Sequence, residues 1–107
     1  MHPTRRAQMP IRVLLLAITM SLTALASAAT AGQARDRAMG PYRAGLEDLR
    51  AERWAEAAAA FQRATEIDPT FEMAYYALGR ANMPQKKYAE AARALTRCRD
   101  LYLADAG

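Results

Sequence analysis

Over its second half the chain places apolar side chains every three or four positions. Trp54, Ala57, Ala58, Phe61, Ala64 and Ile67 draw one stripe along a helix, and Tyr88, Ala91, Ala92, Leu95, Cys98 and Leu101 draw a second. The stretches before each stripe, 41–51 and 71–83, also suit helices. Pro41 can open the first, because its missing N–H is an orphan donor at a helix start anyway. Pro69 and Pro84 mark helix ends, since proline cannot continue the hydrogen-bond ladder. The pattern predicts an all-α chain with four helices, at 41–51, 53–67, 71–83 and 86–103.

Sliding the chain by 34 residues superimposes the two halves. Gly45 falls on Gly79, Trp54 on Tyr88, Glu56 on Glu90, Phe61 on Leu95, Arg63 on Arg97, Ala64 on Cys98 and Ile67 on Leu101. Upstream, Met39 and Tyr42 fall on Met73 and Tyr76. Small residues meet small ones and large apolar residues meet large apolar ones. Glycine at 45 and 79 lets two helices approach where a Cβ would hold them apart. Ala57, Ala64 and Ala91 suit the same close approach, with Trp54, Phe61, Tyr88 and Leu95 filling the space between. Cys98, at the register of Ala64, reads as a packed structural thiol.

Two helix–turn–helix units of this period resemble the tetratricopeptide repeat. The most specific segment is WAEAAAAFQRATEIDP, from Trp54 to Pro69, which has the family's aromatic, alanine and acidic-proline positions. The second unit offers Leu78-Gly79 and YAEAARALTRCRDLYL, with Leu103 where the family has proline. Both units lack the family's aromatic near the end of the first helix, having Asp48 and Asn82 there. The resemblance implies an α-α superhelix of two repeats, spanning 41–69 and 70–103, with a linker or short helix at 29–40 and a tail at 104–107. It also implies a non-catalytic module that binds a partner protein or peptide on the concave surface of the first helices. By register that surface takes Tyr42, Arg43, Leu46, Leu49 and Arg50, then Met73, Tyr76, Arg80 and Met83. Three arginines among aromatic and apolar side chains point to a peptide with an acidic group, because guanidinium grips carboxylate through paired hydrogen bonds. Met73, Leu46 and Leu49 equally suit packing between repeats.

The N-terminal segment has a different character. Arg5, Arg6 and Arg12 precede VLLLAITMSLTAL at 13–25, and the small residues ASAATAG follow. Basic start, apolar middle and small-residue exit make a secretory signal over 1–28, with cleavage after Ala28 or after Ala31. The uncharged run 13–34 is 22 residues, long enough for a retained membrane anchor as the alternative. No cysteine near the cleavage positions supports a lipid anchor. Export places the chain in the periplasm or outside the cell, and 13 Arg against 2 Lys suits a GC-rich bacterial genome.

Removing the signal changes the charge and the chemistry. The whole chain is +4, with 15 basic and 11 acidic residues; without the three signal arginines it is 12 against 11, or +1. No basic domain remains for nucleic acid. The only histidine is His2 and the only serines are Ser21 and Ser27. The repeats therefore lack a Ser-His triad or a histidine-ligated metal site, and no cofactor is implied. Cys98 is the single cysteine, which rules out an internal disulfide. The acidic residues Glu47, Asp48, Glu52 and Glu56 lie near Arg50 and Arg53, as solvated helix pairs do. Two repeats leave both ends of the stack open, so self-association through those ends is the remaining expectation.

Overall fold

A computed structural model describes residues 30–106, and these are helical apart from short turns. Helix α1 covers residues 30–50, α2 Trp54–Ile67, α3 Glu72–Asn82 and α4 Tyr88–Ala106. Among the described residues there is no strand. Residues from Gln33 onward form one compact unit. The expected signal peptide, 1–28, lies outside the described residues. No described helix is long and apolar enough to cross a membrane.

The first helix departs from the expectation. It does not open at Pro41 but runs through the Gly40-Pro41 pair from the first described residue. A proline inside a helix forfeits one ladder bond and crowds the carbonyl four residues back. Tertiary packing offsets that cost. Ala38 is fully buried with Ala64, Phe71 and Ala74, and Met39 packs against the same cluster. One turn earlier, the Arg35 guanidinium bonds the Asp68 carboxylate at 2.5 Å and the Thr70 carbonyl at 3.1 Å. The same group lies 4.3 Å from the centre of the Phe71 ring. Residues 30–40 are thus part of α1, held onto the turn between α2 and α3.

That turn is organised by Asp68. Its Oδ1 accepts from the Thr70 backbone N–H at 3.0 Å and from the Thr70 hydroxyl at 2.7 Å, closing an Asx turn across Pro69. Burial would raise the Asp68 carboxyl. The Arg35 hydrogen bond, the two Thr70 bonds and the Arg35 charge outweigh it and hold the carboxyl below its ordinary range. At the register of Asp68-Pro69 the second unit has Tyr102-Leu103, and nothing stops α4. It continues for 19 residues against 14 for α2, absorbing most of the expected tail.

The turns within each hairpin repeat closely. Glu52 and Lys86, 34 residues apart, are the described non-glycine residues with positive φ, at 56° and 61°. Glu52 N–H donates to Leu49 and Arg53 N–H to Asp48; Lys86 donates to Met83 and Lys87 to Asn82. This paired pattern is the Schellman closure of a helix, here with a left-handed residue that carries a Cβ. Since glycine is the usual occupant, the sequence gives no marker for it.

Close helix approach is visible atom by atom. A Cβ built on Gly45 would sit 2.6 Å from Cε1 of Phe61, and one on Gly79 would sit 2.7 Å from Cγ of Leu95. The two contacts are the same contact, one repeat apart. Phe61 is the one large side chain fully buried among the described residues, and Leu49, Ala57, Ala77, Leu78, Ala81 and Ala94 share its cluster. Ala57, Ala64 and Ala91 are buried as expected, and Pro69 is exposed at the turn.

The second unit does not fill its own interior in the expected way. Tyr88 is 59% exposed and Leu95 39%, while Cys98 is half-buried. The reason lies in the order of helices. Residues of α2 are covered by α3, whereas no described helix follows α4. Trp54 is only partly buried, packed on the edge of the Phe61 cluster.

Two outcomes follow from this packing. Gly45→Ala should lower stability by about 1–3 kcal/mol despite alanine's better helix propensity, because the Phe61 ring is enclosed. Gly79→Ala should cost clearly less, since Leu95 can swing toward solvent; thermal unfolding by circular dichroism measures both. A Gly79→Ala midpoint lower than that of Gly45→Ala would contradict the packing account. For Asp68, the lowered folded carboxyl stabilises the fold above the unfolded value of about 3.9 and loses that contribution as pH falls through the folded one. Asp68→Asn should therefore be less stable at neutral pH, by about 1–2 kcal/mol, with the gap to the native chain closing in acid. Denaturant titrations at several pH values check it.

Candidate functional site

The nine candidate binding residues divide by environment. Tyr42 does not line an open surface. Its ring lies 4.8 Å from that of Phe71 and 5.9 Å from that of Phe61, joining the two apolar clusters. Leu46 packs against the Phe61 cluster and Leu49 is buried within it. The inter-repeat packing reading therefore holds for Leu46 and Leu49, and Tyr42 belongs with them. Arg43 and Arg50 are exposed. Arg50 meets Glu47 at 2.5 Å with both side chains about 70% open to solvent, a pair that contributes little.

Helix α3 keeps the pattern at the surface. Met73 is 51% exposed, Tyr76 44% and Met83 49%, and Arg80 is exposed between them. Their spacing places all four along one side of the helix. The Arg80 guanidinium lies 6.0 Å from the centre of the Tyr76 ring and has no carboxylate partner among the described residues. An uncommitted guanidinium flanked by an aromatic and two flexible thioethers can take a carboxylate with an apolar neighbour. Met73, which equally suited inter-repeat packing, faces solvent.

The register explains why the two first helices differ. Tyr42 and Tyr76 occupy the same repeat position, but Phe71 from the following turn covers Tyr42. Nothing described follows α4 to do the same for Tyr76. Arg43 and Glu47 occupy the register of Ala77 and Ala81, which are buried in the Phe61 cluster. Charge therefore stands on α1 where α3 carries its packed alanines.

Of the four acidic residues expected to pair, Glu47 meets Arg50 and Asp48 meets Arg53, while Glu52 and Glu56 make no ion pair among the described residues. Arg53 donates to Asp48 at 2.8 and 3.0 Å, and Arg93 approaches Glu90 at 3.8 Å. Among the described residues no cluster of His, Cys, Asp and Glu could hold a metal ion. Arg35 is the functional side chain that sequence reasoning missed. Its signal was an arginine at helical spacing from Ala38 and Met39, hidden behind the expected break at Pro41.

The architecture is a pair of stacked helical hairpins with one side of α3 open to solvent. Residues 45–86 match the family model described as TPR repeat. The helical hairpins over that segment are thus of the tetratricopeptide-repeat type, a repeat that typically serves as a protein–protein interaction module. No curated protein and no solved structure matches the chain.

The division of the tyrosines has a direct test. Tyr42→Ala should destabilise the fold by about 2–3 kcal/mol, as large-to-small changes in packed sites do. Tyr76→Ala should stay within about 0.5 kcal/mol, as at an exposed position. Chemical denaturation of the two variants decides it, and equal losses would contradict the assignment.

Proposed function

We propose that this chain is an exported, non-catalytic adaptor that binds a partner polypeptide along the exposed side of α3. The observation that carries the reading is the row Met73, Tyr76, Arg80 and Met83, apolar and aromatic yet open to solvent, with one unpaired guanidinium. Soluble surfaces seldom line up large apolar groups without a partner. The fitting ligand is a peptide with an acidic residue beside an apolar one. Export rests on the basic, apolar and small-residue order of 1–28, and puts the partner in the periplasm or outside the cell. No cofactor, metal or nucleic acid enters this reading.

The alternative is a membrane-tethered accessory subunit of an envelope complex, which the uncharged run at 13–34 favours if the signal is retained. Self-association has its own support in the open side of α4, where Tyr88, Tyr102 and Leu103 are 59%, 66% and 58% exposed.

Crosslinking in the native envelope, with the captured protein identified by mass spectrometry, supplies the partner for the test. Arg80→Glu should then weaken binding of that partner by about tenfold or more, while the circular dichroism spectrum stays unchanged. Undiminished binding would remove the α3 face from consideration. The mass of the native N-terminus separates the adaptor from its tethered form.

A further inference from the structure

A groove of about 560 Å³ opens between α2, α3 and α4, and none of the nine candidate residues lines it. Its apolar part is made of Ala55, Ala58 and Ala59 from α2, Tyr75 and Leu78 from α3, and Ala94 from α4. The three alanines leave the α2 side of the groove flat, because none of their side chains rises above Cβ, while Tyr75 and Leu78 stand on the α3 side. The size lies within the range of small-ligand and side-chain sites, about 300–1,000 Å³.

One polar side chain in this groove is left to solvent rather than to a protein partner. Asn82 is 6% exposed and lines the groove, and its side-chain amide makes no hydrogen bond within the described protein. Comparison with the first repeat sharpens the point. Asp48 holds the equivalent position, and its carboxylate takes two N–H bonds from Arg53. The equivalent of Arg53 is Lys87, which gives Asn82 only its backbone contact. No fully enclosed side-chain polar atom among the described residues is unsatisfied, so the Asn82 amide reaches the groove opening. Beside it, Gln85 spends its N–H₂ on the carbonyls of Ala81 at 2.9 Å and Trp54 at 3.3 Å. That fixes the side chain and leaves its Oε1 as an acceptor.

We infer that this groove receives a tyrosine side chain of a partner polypeptide, its ring on the alanine floor and its hydroxyl on the Asn82 amide. A planar ring suits a floor without protruding side chains. A phenol both donates and accepts, which matches an amide that offers N–H₂ and C=O. Phenylalanine would cover Asn82 and leave it without water or partner, at a penalty. The remaining volume takes the flanking backbone, whose N–H can bond Oε1 of Gln85. This site is separate from the Met73–Met83 face and does not depend on it.

The experiment is a ¹H–¹⁵N NMR titration of the full chain with N-acetyl-tyrosinamide and, in parallel, N-acetyl-phenylalaninamide. Saturable shifts of the Asn82 and Gln85 side-chain amide signals are expected with the tyrosine probe, at an affinity about tenfold or more above the phenylalanine probe. Asn82→Leu should keep the floor and bring the two probes to within about twofold of each other. Ala59→Leu, at an exposed position, should weaken both probes by about tenfold by raising a side chain into the groove, and it carries the test if Asn82→Leu fails to fold. Equal affinity of the two probes for the native chain would overturn the proposal. So would shifts confined to Met73, Tyr76 and Met83, or no saturable shift at all.

Discussion

The distance between paired helices governs everything else in this domain. Gly45 lies against the Phe61 ring and Gly79 against the Leu95 side chain, each with no room for a Cβ. Because the second helix of each unit presses this closely, its alanines reach the core while its neighbours face outward. Phe61 can then be fully enclosed, and the first helices are left to present their outer sides. Widening that gap would loosen the apolar cluster and move the α3 face together.

Repetition of sequence does not produce repetition of environment. Phe61 and Leu95 make the same glycine contact, yet one is sealed and the other is 39% exposed. The stack is polar at one end and apolar at the other. On α1 the register of the buried alanines of α3 is held by Gly40, Arg43 and Glu47, which face solvent. On α4 the register of the covered residues of α2 keeps its large apolar side chains, though no described helix covers them.

The Arg35 clamp adds a third element to this asymmetry. It ties the upstream part of α1 to the turn that separates the two repeats, through a carboxylate, a carbonyl and an aromatic ring together. A proline that would ordinarily start a helix is thereby tolerated inside one. Local preference yields where several long-range contacts agree.

Read alone, the residues determined the four helices, the 34-residue register, the glycine contacts and the acidic-proline turn at Asp68, because periodicity and side-chain size are local properties. They also pointed to the first helices of both units as the open face, to Tyr42 and Arg43 as much as to Tyr76 and Arg80. Three matters were decided only in three dimensions. Phe71 turned Tyr42 from a surface residue into a partly buried one that joins two clusters; Arg35 and Ala38 carried α1 through Pro41; and Tyr88 and Leu95, which no described helix covers, stayed in solvent. Each depends on which element lies next to which. The pattern along one helix records that it has an apolar side, whereas the neighbour that covers that side is supplied by the rest of the fold.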